Sequence, residues 1–160
     1  DVPTIHVDIY PTLLDLAGAP QPKHVLDGES IVPLWKDSTA KLKRDAIFQH
    51  FPGYLGAGDN QWRTTPVSLI HSGDWKLMEF LEDGRLELYN LRDDIGQKNN
   101  LTAARPEKVK ELHDRLVAWR KQINAPMPTP NPKIETPSAE RDRNSSKKGK
   151  RGGKQKADSE

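Results

Sequence analysis

The sequence predicts an α+β fold, in which a small four-stranded antiparallel sheet packs against one C-terminal helix and is followed by a disordered basic tail. Short segments rich in β-branched and aromatic residues, separated by tight Gly/Asp turns, predict the sheet. An amphipathic pattern over residues 107–123 predicts the helix, and a Lys/Gly/Ser-rich ending predicts the tail. One helix laid over one face of such a sheet is a stable two-layer arrangement.

The first element in chain order is a short helix predicted over residues 8–17. Asp8 suits its N-cap, Pro11 falls in the first turn, and Gly18 suits a left-handed C-cap. The helix is apolar over more than one stripe, so it needs cover on two sides. Nothing else near it in the sequence is large enough to provide that cover. We therefore expect a larger upstream body that packs on it.

Loops and strands follow this helix. Residues 18–44 are predicted to form a connecting loop, and the glycine-rich stretch around Gly56 and Gly58 a mobile loop. Trp75 is predicted to lie in the core, and Lys76 on a solvated face. The strands are consecutive in sequence, which predicts an antiparallel meander, and they are expected at residues 46–51, 67–71, 75–81 and 85–89.

The last predicted element is the helix over residues 107–123. Pro106 stands at its start, and Pro126 stops it. Its apolar residues recur at spacings of three and four, which predicts one buried stripe made of Val109, Leu112, Leu116, Trp119 and Ile123.

Composition separates the body of the chain from its tail. Of the 160 residues, 34% are hydrophobic, and few large apolar side chains follow Pro126. Residues 133–160 hold nine Lys/Arg against five Asp/Glu, so the net charge of +2 hides a basic tail on a mildly acidic body. The tail would bind anionic polymers through unspecific, salt-sensitive contacts, or serve only as a solvated solubility tail.

Several classes of site are excluded by residue types. The chain has no cysteine, which removes disulfides, zinc–thiolate sites and thiol nucleophiles. It has no run of about 18 apolar residues, so no membrane span is predicted. The histidines lack metal-ligand spacing, and Asp93-Asp94 fits a turn better than a calcium loop. The start at Asp1 without Met predicts a fragment or a processed product.

Five stretches of the sequence form an ordered set. They are Asp8 to Gly18, Leu26 to Ser30, His50-Phe51-Pro52, Gly73 to Leu77, and Glu87 to Leu91 with Asn100-Leu101 after it. In this order and spacing they resemble the C-terminal region of type I sulfatases, the formylglycine-dependent enzymes that include arylsulfatases and N-acetylgalactosamine-6-sulfatase. The resemblance extends across about residues 1–132. The chain departs from the pattern at Ile95-Gly96-Gln97, where many relatives have Pro-Gly-Glu.

The resemblance implies an alkaline-phosphatase-like α/β domain followed by a small C-terminal subdomain. It would place residues 1–44 at the end of the large domain, 45–125 in the subdomain and 126–160 in the tail. The implied reaction is hydrolysis of a sulfate ester of a sugar or an aryl group, in the periplasm or outside the cell. The implied nucleophile is a hydrated formylglycine and the implied metal is Ca²⁺, but the residues that form both would lie upstream of Asp1, and none can be assigned to this chain.

Candidate substrate-binding residues are His50, Tyr54, Trp62 and Arg63. His50 ends a strand beside the glycine-rich loop that holds the other three, and loops of this subdomain overhang the cleft in the family. Trp62 and Arg63 would stack on and grip an anionic sugar. The alternatives are a histidine hydrogen-bonded at a strand end and ordinary loop residues.

Two other functions fit the same residues. The chain or its tail would act as a module that binds anionic glycans without chemistry. Alternatively, the whole protein would be a phosphodiesterase or phosphatase of the same superfamily. The identity of the upstream nucleophile distinguishes a sulfatase from the latter.

Overall fold

The computed structural model describes residues 2–37, 39–58 and 61–129. The predicted disordered tail lies almost entirely outside these residues. The helices are a 3₁₀ turn His6–Asp8, α1 (Ile9–Leu16), α2 (Val32–Lys36) and α3 (Pro106–Gln122). The strands are β1 (Ile47–Phe51), β2 (Leu55–Gly58), β3 (Gln61–Thr64), β4 (Val67–Ser72), β5 (Trp75–Phe80) and β6 (Leu86–Asn90).

The predicted four-stranded sheet is confirmed. Its order is β1-β4-β5-β6, and each neighbouring pair is antiparallel. Gly73 and Gly84 adopt positive φ values of 56° and 70° in the two turns that connect β4 to β5 and β5 to β6. Glycine takes this conformation without a steric cost, which is why these short turns could be read from sequence.

The prediction of a mobile loop around Gly56 and Gly58 is wrong for the described residues. β2 and β3 pair there as a separate antiparallel hairpin, inserted between β1 and β4. The pairing shifts register twice, so the hairpin lacks the regular alternation that predicts strands. The connecting loop predicted over residues 18–44 likewise contains the short helix α2.

The core lies between one face of the sheet and α3. Ile70, Leu77 and Leu88 stand side by side on β4, β5 and β6 and are fully buried against Leu112 and Leu116 of the helix. The ring of Phe48 on β1 stacks on Trp119 with centroids 5.0 Å apart. Burial of each large aliphatic side chain contributes about 1.5–3 kcal/mol, so this layer is the main source of stability among the described residues.

One position of the predicted apolar stripe on α3 differs from expectation. Ile123 is 49% exposed because the helix ends at Gln122, whereas Arg120, four residues after Leu116, is buried. The Arg120 guanidinium lies 2.7 Å from Glu79 Oε2 and donates to Ser68 Oγ at 3.2 Å. His113 Nε2 lies 3.1 Å from the same Glu79 oxygen. The sheet–helix layer therefore contains a polar cluster beside its apolar core.

A fully buried carboxylate organises the N-terminal region. Asp8 was expected to cap α1, but its side chain makes no capping hydrogen bond. Instead it forms a bidentate ion pair with Arg44, in which Nη1 and Nη2 lie 2.5 and 2.6 Å from Oδ1 and Oδ2. It also accepts hydrogen bonds from the backbone amides of Ile5 and Glu29. The backbone carbonyl of Asp8 accepts a hydrogen bond from the Thr12 hydroxyl, and this hydroxyl accepts one from the backbone amide of Ile31. These bonds join α1 to two segments that lie 21 and 36 residues away.

The backbone at Gly28 lies very close to the backbone of Val7 and Asp8. A Cβ on Gly28 would stand 2.1 Å from the carbonyl oxygen of Val7, so only glycine fits there. Gly18 takes a φ of 63° after α1, which confirms the predicted left-handed C-cap.

Helix α1 leaves a large apolar surface open. Its side chains Ile9, Tyr10, Leu13 and Leu16 are 51–59% exposed. We call these four residues the α1 face. An exposed contiguous apolar patch of this kind marks an interaction surface in soluble proteins.

Candidate functional site

The β2–β3 hairpin lies at one end of the four-stranded sheet. Phe51, Val67 and Phe80 stand opposite one another there, where β1 and β5 end and β4 begins. Because the hairpin connects β1 to β4 and the β5–β6 turn leaves from the same end, loops from both connections meet at this edge. The predicted residues His50, Tyr54, Trp62 and Arg63 all belong to this end of the fold.

An aromatic pair is the main feature of the hairpin. The rings of Tyr54 and Trp62 pack with centroids 5.0 Å apart and planes tilted by 51°. A Cβ built on Gly56 would lie 3.5 Å from the Trp62 ring, so the indole rests over a bare stretch of β2 backbone. Both side chains remain about half exposed, at 48% for Tyr54 and 55% for Trp62. The pair therefore offers aromatic surface that the described residues do not cover.

Glu82, in the β5–β6 turn, completes this group. The Tyr54 hydroxyl donates to its Oε1 at 2.6 Å. This hydrogen bond, followed by a smaller effect of burial, raises the pKa of Tyr54, so the phenol stays protonated and remains a donor. We call Tyr54, Trp62 and Glu82 the strand-end platform. Sequence reasoning missed Glu82 because it was read only as part of a turn, and its neighbour in space lies 28 residues earlier.

Arg63 follows Trp62 on β3 and is exposed. It is the extra residue of a β-bulge, because Leu55 pairs with Thr64 and Gly56 pairs with Trp62. It adds positive charge to the hairpin beside the platform. The structure thus brings Tyr54 and Trp62 together and leaves Arg63 adjacent to them.

His50 has a partner at each ring nitrogen. Nε2 lies 2.7 Å from the carbonyl oxygen of Pro126, and Nδ1 lies 2.6 Å from Ser68 Oγ. A carbonyl only accepts, so Nε2 donates to it. Ser68 is fully buried and also accepts from Arg120. His50 thereby ties the end of β1 to the segment that follows α3, and its bonds match the alternative of a histidine held at a strand end.

A second set of polar side chains, Lys76, His71 and Gln97, lies on the sheet face opposite α3. Lys76 was expected in solvent, but it is half-buried, and its Nζ donates to Gln97 Oε1 at 2.9 Å. Burial lowers the pKa of Lys76, and Glu87 offsets part of that effect. His71, opposite Lys76 on β4, also has a pKa lowered chiefly by burial. Gln97 has a positive φ of 52°, which is uncommon for a residue with a side chain.

An open groove of about 750 Å³ runs beside β1. β1 is an edge strand and pairs only with β4 among the described residues. The groove is lined on one side by the segment that leads into α1, including Ile5 and Val7, and on the other by Trp119 and Ile123. Its lining is mostly apolar, and it reaches His50 at the end of the strand.

The described residues offer no metal centre. Among them, no three His, Cys, Asp or Glu side chains stand close enough together to hold an ion. None of the described helices has the length and apolar content needed to cross a bilayer.

Residues 3–122 match the family described as "N-sulphoglucosamine sulphohydrolase, C-terminal". The chain belongs to this sulfatase family. It is 37% identical over 134 residues to a sulfatase of Formosa agariphila and 33% identical over 125 residues to arylsulfatase K of Rattus norvegicus. These matches cover 75% of this chain in both cases, but only 23% and 21% of the relatives. The chain thus spans about a fifth to a quarter of the length of these relatives.

A solved structure shares the fold. The protein BT4656, in complex with its substrate D-glucosamine-2-N,6-O-disulfate, superposes with a TM-score of 0.57 and 28% identity. That match covers 72% of this chain and 23% of the other. The expected resemblance to sulfatase C-terminal regions and the expected small sheet-and-helix subdomain are therefore confirmed.

Several residues in the sequence stretches that resemble sulfatases have structural roles in this fold. Asp8, Thr12 and Gly28 belong to the buried network around Arg44, and Gly73 to the β4–β5 turn. Several of the residues that carry the family resemblance thus maintain the fold, whereas the platform residues Trp62 and Glu82 lie outside those stretches.

Proposed function

We propose that this chain serves as the C-terminal part of a sulfatase that hydrolyses sulfate esters of a saccharide or an aryl group. The observation that carries this proposal is the family match over residues 3–122. Residues 1–44 are the end of the large domain, 45–125 the C-terminal subdomain and 126–160 the tail. By family resemblance, the nucleophile and the metal, Ca²⁺, belong to the remainder of the enzyme.

The partner of this region is the sulfatase catalytic domain. The α1 face supports this, because four large apolar side chains of one short helix stand more than half exposed. Burial of one such side chain stabilises an interface by about 1.5–3 kcal/mol. The apolar groove beside β1, lined in part by Ile5 and Val7 of the segment that enters α1, offers further uncovered surface. We place the enzyme in the periplasm or outside the cell on family resemblance.

Within the enzyme, the hairpin end of the sheet faces the substrate. The saccharide beyond the reacting sulfate is contacted by Tyr54, Trp62 and Arg63. His50, at the end of β1 beside the hairpin, contributes to the same substrate site. The half-exposed aromatic pair and the exposed guanidinium support this role, because such groups bind anionic sugars through stacking and forked hydrogen bonds.

The test uses the full-length enzyme and two substrates, a sulfated disaccharide and an aryl sulfate. The Trp62→Ala and Arg63→Ala variants should lower kcat/KM for the disaccharide by about tenfold more than for the aryl sulfate, a loss of about 1.4 kcal/mol of differential binding. Trp35→Ala, which removes another exposed indole, far from the hairpin in sequence, is the matched control. Equal losses on both substrates would exclude a role in saccharide binding.

His50 needs a separate experiment because both of its nitrogens have protein partners. His50→Ala should reduce kcat/KM or the discrimination between saccharides if this end of β1 serves the substrate. Ser68→Ala removes the Nδ1 partner and leaves the ring in place, so it reports the structural part of the effect. Unchanged kinetics in His50→Ala would remove His50 from the substrate site.

The basic tail remains a candidate contact for anionic polymers. Residues 133–160 lie outside those that the structure describes, and their surplus of four positive charges supports this role. Retention of the full-length protein on a heparin column should fall when residues 133–160 are deleted. Retention that is unaffected by the deletion would show that the tail contributes nothing to glycan binding.

A further inference from the structure

We propose that the strand-end platform binds a sugar unit bearing free hydroxyl or amino groups, and that Glu82 selects against a sulfated unit at that position. This inference rests on the sulfatase function proposed above and names the chemistry of one subsite. The platform would take a neighbour of the sugar whose sulfate is cleaved.

The aromatic half of the platform suits the apolar face of a pyranose ring. Tyr54 and Trp62 present rings tilted by 51° to each other, about half of each exposed. The negative face of an aromatic ring attracts the slightly positive C–H groups of a sugar, and the flat contact excludes water. The indole is supported from below by the Gly56 backbone and from the side by the phenol, so its orientation is set before a ligand arrives.

Glu82, the acidic part of the platform, determines which substituents the bound sugar can have at this position. Glu82 is exposed, and one of its oxygens is held by the Tyr54 hydroxyl at 2.6 Å. An ionised carboxylate has about four acceptor sites and no donor, so the remaining sites are suited to hydroxyl or ammonium donors. A sulfate group offers only negative oxygens, and two like charges in a partly dry contact repel each other. Glu82 thus favours a sugar with donors at this point and disfavours one that carries sulfate there.

The experiment measures kcat/KM of the full-length enzyme for two disaccharides with the same cleavable sulfate. In one the neighbouring sugar carries free hydroxyl groups, and in the other it carries a sulfate. The wild-type protein should prefer the first by about tenfold. Glu82→Gln keeps the shape and removes the charge, so this ratio should fall to near one. Tyr54→Phe keeps the ring but releases the carboxylate from its fixed position, and the ratio should fall part of the way.

Glu107→Gln is the matched control, since it neutralises an exposed carboxylate in the first turn of α3. It should leave the ratio as in the wild type. A wild-type ratio near one, or a ratio that Glu82→Gln does not change, would overturn the inference. If Trp62→Ala still lowers kcat/KM for both disaccharides in that case, the proposed saccharide contact stands and only the selectivity of Glu82 is disproved. Failure of the wild-type enzyme to release sulfate from any substrate would instead reject the proposed function.

Discussion

The carboxylate of Asp8 shows how one residue can stabilise a region without regular packing. It is completely buried, yet the Arg44 guanidinium and two backbone amides satisfy it. Burial alone would raise its pKa, but the hydrogen bonds outweigh burial, so the pKa of Asp8 lies below the ordinary value of 3.8. A carboxyl with a lower pKa in the folded state stabilises the fold above its unfolded pKa. That contribution is lost as the pH falls through the folded pKa.

Asp8→Asn should lower the free energy of unfolding by about 3 kcal/mol at pH 7, because it leaves the mostly buried Arg44 guanidinium with only the more distant Glu29 carboxylate, 3.8 Å away, as a counter-charge. The wild-type protein should lose stability below about pH 4, whereas the variant should lose less over the same range. Denaturant titrations at pH 7 and pH 3 measure both effects. Asp114→Asn, at an exposed carboxyl whose pKa is lowered by a hydrogen bond from Lys110, is the control and should change stability much less. If the free energy of unfolding fell by the same amount between pH 7 and pH 3 in the wild type and in Asp8→Asn, this explanation would be contradicted.

Lys76 presents the opposite case, a half-buried cation with a neutral partner. Its pKa lies below 10.5 chiefly because of burial, so the charged form is slightly disfavoured in the fold at neutral pH. The folded state gains stability as the pH rises through the lowered pKa toward the unfolded value.

Gln97→Glu should therefore raise the pKa of Lys76 and stabilise the protein at pH 7 by up to about 1 kcal/mol, the range of partly exposed ion pairs. NMR titration of the Lys76 ammonium and denaturant unfolding give the two values. Gln122→Glu, at the end of α3, is a control with the same change of charge at a different place. A Lys76 pKa that does not move would show that the two side chains do not meet in solution.

At the scale of elements, α3 is attached to the sheet by apolar and ionic contacts together. The leucines of α3 cover the sheet, and Arg120 reaches across to Glu79 and Ser68 beside them. Both members of the Arg120–Glu79 pair are more than four-fifths buried. The neighbouring pair of Arg115 and Asp45 is far more exposed, with 83% of the aspartate side chain in solvent.

Arg120→Ala should lower the free energy of unfolding by about 3 kcal/mol, because it leaves the Glu79 carboxylate in a mostly buried site without its arginine and with only His113 beside it. Arg115→Ala removes an arginine of the same helix and should cost less than about 1 kcal/mol, since exposed ion pairs contribute little. Thermal or denaturant unfolding of the two variants gives a direct comparison. Similar losses in both would mean that the burial of the Glu79 pair has no energetic consequence.

At the scale of the whole molecule, the α1 face separates what this chain does alone from what it does in an enzyme. Its apolar side chains remain more than half exposed among the described residues, although the helix itself is formed. In the enzyme that we propose, the same side chains are covered by the catalytic domain.

Leu13→Ser should leave the isolated chain folded and make it more soluble, because it removes an exposed apolar side chain. In the full-length protein the same change should lower stability by about 2 kcal/mol or more, since it opens a gap in a packed interface. Melting temperature and solubility of both forms measure this contrast. Val25→Ser, at a 92% exposed loop position, should have little effect in either form. A full-length protein indifferent to Leu13→Ser would show that the α1 face stays in solvent.

Local patterns account for the parts of the fold that were predicted correctly. The strands of the main sheet, the turns at Gly73 and Gly84 and the span of α3 follow from alternation, positive φ and helical spacing within a few neighbouring residues. The over-apolar character of α1 was likewise visible in its own eight residues. The family resemblance also needed only sequence, because Asp8, Thr12 and Gly28 are required at fixed positions by the buried network.

Contacts between distant residues decided the rest. The β2–β3 hairpin has too much glycine and too irregular a register to be recognised from its own pattern, and the Tyr54–Trp62 contact forms only once the strands are paired. Glu82 meets Tyr54 across 28 residues, and Arg44 meets Asp8 across 36. Sequence alone determined the strands of the main sheet, the helices α1 and α3 and the family of this protein, since these depend on residue types at short spacing. Tertiary structure alone decided which charges are buried and which side chains form the platform, because burial and pairing are properties of the assembled layers.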